Sequence, residues 1–343
     1  MNIQRLVVMV LLALAACGGT PAANAPPSAP TPAGTGSAPL RTITLAMPYI
    51  PNVQFAQYYV ADKKGYYAAE GLQITFDYNF ETDVVQRVAQ NTVAFGMASG
   101  DSVLLARAQG LPVVMVSTTN QQFPTVFYSK QEAGISEPAD LKGRSVGIPG
   151  RFGASYIGLL ALLYASGIDQ SELNIQEIGF AQVAALSEDK VEVASGYGNN
   201  EPVQLARQGI DLNIIRVADA FPLASDGIIT SEPLIAGDPD LVRGFVRATL
   251  RGMRDVIDDP EEAFAISLEY IPELATADQA TRELQRAVLD ATLPYWQSEQ
   301  TTAEGLGFSD ERKWVATHEF LRASGILTSD VAVTQAFTNQ FIK

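Results

Sequence analysis

Short apolar runs alternate with amphipathic stretches from residue 41 to about residue 230. The runs at 43–47, 72–78, 94–98 and 113–117 have the length and the β-branched or aromatic content of buried strands. Between them, 54–70 (broken at Gly65), 82–90 and 101–109 carry helical spacing, with Asp101 placed as an N-cap behind the Ser99-Gly100 turn. A second series opens with a helical turn at 138–143. It continues through strands at 145–148, 174–178, 191–195 and 212–217, with helices at 155–166, 182–186 and 201–208. Strands alternating with helices predict an α/β fold with largely parallel sheets. After a short strand at 228–230 the pattern turns wholly helical, over 240–258, 260–270, 277–291 and 310–324, with Pro or Gly at most breaks.

The first residues follow a different logic. Arg5 precedes an uninterrupted apolar run from Leu6 to Ala16 that ends Leu14-Ala15-Ala16-Cys17-Gly18. Eleven helical residues reach only about 16 Å, too short for a hydrocarbon core of about 30 Å, so 1–16 reads as a signal peptide. Small residues before Cys17 resemble a bacterial lipobox, which makes Cys17 the lipidated residue after cleavage. The alternative is a soluble secreted protein in which Cys17 is incidental. Residues 17–40 hold the lipidated Cys and an uncharged Pro/Ala-rich tether that cannot build a core.

Charge and composition then exclude whole classes. The chain has 38 acidic and 23 basic residues, a formal charge of -15, and no dense Lys/Arg run, so no nucleic-acid partner is expected. One Cys and one His leave no thiolate or imidazole metal cluster, no disulfide framework and no His-based triad. Phosphate loops, nucleophile elbows and dinucleotide fingerprints do not occur. The Gly-rich turn at 147–153 lacks their spacing, but it can turn backbone N–H groups and a helix N-terminus toward a cleft. Arg207, Arg243, Arg247, Arg251 and Arg254 read as a solvated face with intrahelical ion pairs, and His318 as structural.

What remains are loops rich in rings and amides at strand ends: 48–59, 118–124, 151–156 and 195–202. Ligands of parallel α/β sheets bind beyond the carboxyl ends of the strands. Rings offer stacking faces there, while amides and hydroxyls read the edges of a planar, neutral, polar molecule.

Several segments carry a resemblance over nearly all of 41–343: Pro51-Asn52 with Tyr59-Val60-Ala61, Gly65-Tyr66-Tyr67 with Glu70-Gly71-Leu72, and Gly110-Leu111-Pro112-Val113. Asp140-Leu141-Lys142-Gly143 and Asp259-Pro260-Glu261-Glu262-Ala263 belong to the same pattern. With the lipobox, they resemble the substrate-binding lipoproteins of bacterial ABC importers, in the two-lobed family of thiamine-pyrimidine-synthase-like, sulfonate- and nitrate-binding proteins. The resemblance implies a type II periplasmic-binding-protein fold, with two α/β domains joined by a two-segment hinge near 125–130 and 222–228. Lobe 1 would take 41–127 and 225–343, and lobe 2 would take 128–224. It also implies an ABC permease and its ATPase as partners, a monomer lipid-anchored on the outer face of the cytoplasmic membrane, and no catalysis. The related synthases carry a Cys- and His-rich iron-binding region that this chain lacks.

Pyrimidine-precursor binders carry Trp before the Pro-Asn and His shortly after it, where this chain has Tyr49 and Gln54-Phe55. The stretch Asn52-Val53-Gln54-Phe55-Ala56 with Tyr58-Tyr59 is more similar to the riboflavin-binding members. The implied transported ligand is riboflavin, with no resident cofactor or metal. The alternative is a hydroxymethyl- or formylaminopyrimidine precursor of thiamine. The expected site takes ring faces from Tyr49 and Phe55 and polar partners from Asn52, Gln54, Ser99, Asp101 and Gln121. Phe152, Ser155, Tyr156, Tyr197 and Asn199 would close over the ligand from lobe 2.

Overall fold

The computed structural model describes residues 39–343. The expected signal peptide, Cys17 and all but the last two residues of the tether lie outside the described residues. The strands are β1 (Arg41–Met47), β2 (Leu72–Tyr78), β3 (Phe95–Ala98), β4 (Val113–Thr118), β5 (Thr125–Lys130), β6 (Ser145–Ile148), β7 (Asn174–Glu177), β8 (Val193–Tyr197), β9 (Leu212–Arg216) and β10 (Gly227–Ser231). They form two five-stranded sheets, ordered β2-β1-β3-β10-β4 and β7-β6-β8-β5-β9. The two orders are topologically equivalent. In each sheet the fourth strand, β10 or β5, runs antiparallel to both of its neighbours. The architecture is the two-lobed α/β fold expected, with mixed sheets where largely parallel ones were read.

β5 is the element that the apolar pattern did not disclose. Its Thr, Ser and Lys interrupt the run, yet all but Lys130 are buried because β8 and β9 flank it on both sides. The expected first hinge, 125–130, therefore falls on a strand of the second sheet. The chain instead crosses over residues 119–124, and it returns over 221–226 between the short helix Val217–Ala220 and β10. Antiparallel insertion sets Thr125 opposite Tyr197, and Gly227 opposite Ala98 and Thr118. Both crossings thus emerge at the carboxyl ends of the parallel strands.

The helix Gly153–Ser166 is apolar on nearly every face, as a helix buried from several sides must be. It packs on β5 in its own lobe and on the helix Gly100–Ala108 of the other. Tyr164 reaches Phe320 of the helix Glu311–Ala323 (ring centroids 5.3 Å apart). That last helix and three others, Pro239–Asp258, Pro260–Tyr270 and Gln279–Thr292, pack on helices of the first lobe, and Gln279–Thr292 packs also on Glu201–Arg207 of the second. Asp238 and Asp259 start two of them by the same device: each carboxylate accepts the N–H three residues on (3.1 and 2.9 Å), and a Pro follows that has no N–H to satisfy.

The helix Pro239–Asp258 buries Leu241, Phe245, Thr249, Gly252 and Val256 on one stripe. Phe245 stacks on Phe95 at 3.9 Å, and Thr249 Oγ1 meets the Tyr67 hydroxyl at 2.7 Å. Its arginines are only partly intrahelical. Arg243 pairs with Asp240 at 2.6 Å, whereas Arg247 forks onto Glu70 and Arg251 lies 3.8 Å over the Tyr66 ring. The neighbouring segment 66–70 presents both of these partners.

Gly252 lets this helix touch the helix Ala56–Lys63. A Cβ there would run into the Gln57 carbonyl and stand 2.8 Å from Ala61 Cβ. Backbone on the far side cannot yield as a flexible side chain would. Gly252→Ala is expected to lower stability by about 1–3 kcal/mol, read as a drop in the urea midpoint. An unchanged midpoint would show that the two helices separate freely.

Candidate functional site

The carboxyl ends of the two sheets face each other across a cleft. Loops after six strands reach it: Pro48-Tyr49 after β1, Phe80-Glu81 after β2, Asn120 after β4, Pro149 to Ser155 after β6, Phe180 and Gln182 after β7, and Asn199 to Glu201 after β8. Four rings line one side in alternation between lobes. Tyr49 meets Phe180 edge-on at 4.8 Å, Phe180 stacks on Phe80 at 5.1 Å, and Phe80 meets Phe152 edge-on at 5.4 Å. Asn199 ties the lobes from the other side, donating to Gln54 Oε1 (3.0 Å) and Thr292 Oγ1 (2.9 Å).

The polar lining includes acceptors that the chain itself leaves open. Asn120 Oδ1 and Asn199 Oδ1 are buried with no hydrogen-bond partner among the described residues. Glu81, Glu201 and Asp226 add three carboxylates, and no Lys or Arg lines the cleft among the described residues. Arg151, which could have answered them, turns out to Glu177 at 3.4 Å. Burial pushes the Glu201 carboxyl up to about 7, although the Tyr197 N–H (2.8 Å) and Asn200 Nδ2 (3.1 Å) donate to it. Burial likewise raises Asp226 to about 6, against donation from Asn120 Nδ2 (2.9 Å) and Ser225 Oγ (3.0 Å). Burial, then the neighbouring carboxylates of Asp226, Glu81, Asp101 and Glu201, hold the Tyr197 phenol far above its ordinary range. Tyr197 therefore stays a neutral hydroxyl.

Of the expected residues, the cleft brings together Tyr49, Gln54, Phe55, Phe152, Ser155, Tyr197 and Asn199. Five others are placed outside its lining. Asn52 is buried and accepts the Gln54 N–H (3.0 Å), so it sets the turn that carries Gln54 and Phe55. Ser99 holds Glu81 through its N–H (2.7 Å) and hydroxyl (2.6 Å). Asp101 is not the N-cap: that position is Ser99, and Asp101 sits inside the first turn, buried. Burial and then the Glu81 charge raise the Asp101 carboxyl. Gln121 spends its amide on the carbonyls of Thr118 (3.2 Å) and Phe308 (3.1 Å) at the crossing. Tyr156 points outward to Gln170 (3.1 Å).

The loops after β2 and β7 were missed, and with them Phe80, Glu81, Phe180 and Gln182. The strand-end rule that selected the other loops would have found them, since each joins a Phe to a carboxylate or an amide at the end of a strand that had been read. Among the described residues, no cluster of His, Cys, Asp and Glu is arranged to hold a metal ion, and no helix is long and apolar enough to cross a membrane.

Comparison with known proteins gives the context. A family model described as NMT1/THI5 like matches residues 52–263. The chain is 51% identical, over all of its own length and 98% of the relative's, to the riboflavin-binding protein RibY of Chloroflexus aurantiacus. It is 26% identical to the 4-amino-5-hydroxymethyl-2-methylpyrimidine phosphate synthase of Legionella pneumophila, over 88% of this chain and 92% of that one. Among solved structures, the alkanesulfonate-binding protein SsuA of Xanthomonas axonopodis pv. citri bound to MOPS superimposes with a TM-score of 0.66. It is 14% identical and covers 88% of this chain and 100% of its own.

The buried acids give stability a defined pH dependence. Glu201 (about 7) and Asp226 (about 6) keep their protons in the folded chain where the unfolded chain has lost them. Folding stability of the unliganded protein therefore falls as pH rises from about 4.5 to about 7, by on the order of 1–3 kcal/mol for each group, and Asp101, raised to about 8, carries the decline further. Carboxylates held below their usual range, such as Asp238 beside Arg41 and Glu192 at the Ser145 N–H, act oppositely and only below about pH 4.5. Urea midpoints from pH 4.5 to 8 are expected to decline, with Glu201→Gln flattening the decline. A flat wild-type profile would contradict the burial of these charges.

Proposed function

The chain belongs to the NMT1/THI5-like family, and from that premise we propose that it is the solute-binding protein of an ABC importer that captures riboflavin between its lobes. The observation that carries this reading is a cleft walled by rings from both lobes, with no Lys or Arg in its lining among the described residues and with the unpartnered acceptors Asn120 Oδ1 and Asn199 Oδ1. Isoalloxazine is a broad planar system suited to aromatic walls. Its ring N–H and the hydroxyls of its ribityl chain are donors that match Asn120 Oδ1, Asn199 Oδ1 and the cleft carboxylates. The name of the relative at 51% identity supports the same ligand. Binding proceeds without turnover.

Tyr49, Phe55, Phe152 and Tyr197 would supply stacking surface, and Gln54, Ser155 and Asn199 would read polar edges. Two lobes, 41–124 with 225–343 and 125–224, would close about the two crossings. The protein acts outside the cytoplasm. Its permease and ATPase would receive the solute there, and Cys17, behind Leu14-Ala15-Ala16, would carry the lipid that holds it to the outer face of the membrane. Replacing Cys17 by Ala is expected to release the protein from the membrane fraction; retention would defeat the anchor.

Riboflavin added to the purified protein is expected to lose fluorescence as it stacks in the cleft and to give a saturable heat. Tyr49→Ala or Tyr197→Ala should weaken binding about tenfold or more, roughly 1.4 kcal/mol or beyond, with little change in the melting temperature of the unliganded protein. Absence of quenching and heat with riboflavin, together with clear heat from an aminopyrimidine, would reassign the ligand, since an exocyclic amine also suits acceptors. Normal binding by both variants would move the pocket elsewhere.

A further inference from the structure

The helix Gly153–Ser166 opens directly onto the cleft, with Phe152, Gly153, Ala154 and Ser155 all in its lining. Phe152, in the capping position, contributes no side-chain hydrogen bond, and the first turn contains no acid. Unused N–H groups and the helix dipole therefore turn partial positive charge toward the cleft. Against this end stands a carboxylate from the opposite lobe. Glu81 Oε1 is fixed by the Ser99 N–H (2.7 Å) and hydroxyl (2.6 Å). Its Oε2 stands 2.7 Å from where a Cβ on residue 153 would be. Gly153, at φ +64°, makes that approach possible on two counts, since a side chain would be strained there and would strike Glu81.

We propose that Glu81 sets the charge selectivity of the cleft: its carboxylate takes the position at the helix end that an anionic group on a solute would otherwise take. The inference rests on the reading of this cleft as the solute site. Elsewhere in the lining Glu201 and Asp226 share the cleft, and Arg151 is turned out to Glu177. With Glu81 in place, a phosphoryl group meets a fixed negative charge where it would need donors. A neutral solute meets no such opposition. The cleft thereby accepts a vitamin and refuses its phosphorylated form.

The test compares riboflavin with FMN on the wild-type protein and on Glu81→Gln, by calorimetry at fixed salt. Gln keeps the size of the side chain, and its carbonyl oxygen can accept both Ser99 donors, so only the charge is lost. Wild-type protein is expected to prefer riboflavin. In Glu81→Gln the preference should fall at least tenfold, through tighter FMN binding. Glu132→Gln, at an exposed residue on the far lobe, removes the same unit charge and is expected to leave the ratio alone. An unchanged ratio in Glu81→Gln, an equal shift in Glu132→Gln, or wild-type protein that binds FMN as tightly as riboflavin would overturn the proposal. If the wild-type protein takes an aminopyrimidine in place of the flavin, the riboflavin reading alone fails. The same variants are then scored on that pyrimidine and its phosphate ester, with the same expectation. Binding of neither neutral solute would overturn both.

Discussion

The arrangement of the cleft follows from how the chain passes between its sheets. Each crossing ends in a strand, β5 or β10, that enters its sheet antiparallel to its neighbours, and an antiparallel strand must begin where its parallel partners end. The two crossings are thereby fixed at the carboxyl ends of β3, β4 and β8, the same edge at which every ring and amide loop emerges. Connection and pocket share one edge because of hydrogen-bond direction, and the near-identity of the two sheet orders makes the loops of one lobe confront those of the other.

That geometry gathers charge of one sign. Glu81, Asp101, Glu201 and Asp226 arrive from four separate segments, and the only compensation close by is neutral: Asn, Ser and backbone N–H donors. Burial of uncompensated carboxyls raises their affinity for protons. Such a site suits a molecule that brings donors, since each donor satisfies an acceptor that the empty chain leaves open. The distant alkanesulfonate-binding neighbour shares the fold alone, and nothing in its architecture requires its cleft to carry the same charge.

Most of the fold could be read from the alternation of apolar runs with amphipathic stretches, because the central strands are buried and all are short and punctuated. β5 could not. A central strand whose backbone is paired on both sides can look, in sequence, like a linker, which is why residues 125–130 resemble a hinge. The site was half legible. Rings and amides at strand ends pointed to seven lining residues, since loop position is set by local sequence. Asn52, Ser99 and Gln121 lie in the right loops, but their side chains are used to brace the loops, and that depends on partners far along the chain such as Glu81 and Phe308. Asp101 lies two residues beyond the capping position, which Ser99 occupies, and only the backbone angles distinguish the two positions.

The ring series Tyr49, Phe180, Phe80 and Phe152 alternates strictly between lobes. No one pair can part while the others hold, so the three contacts must yield in a single motion. At about 0.5–1.5 kcal/mol each, they favour the state in which the rings interleave, so the lifetime of that state lengthens with every ring that takes part.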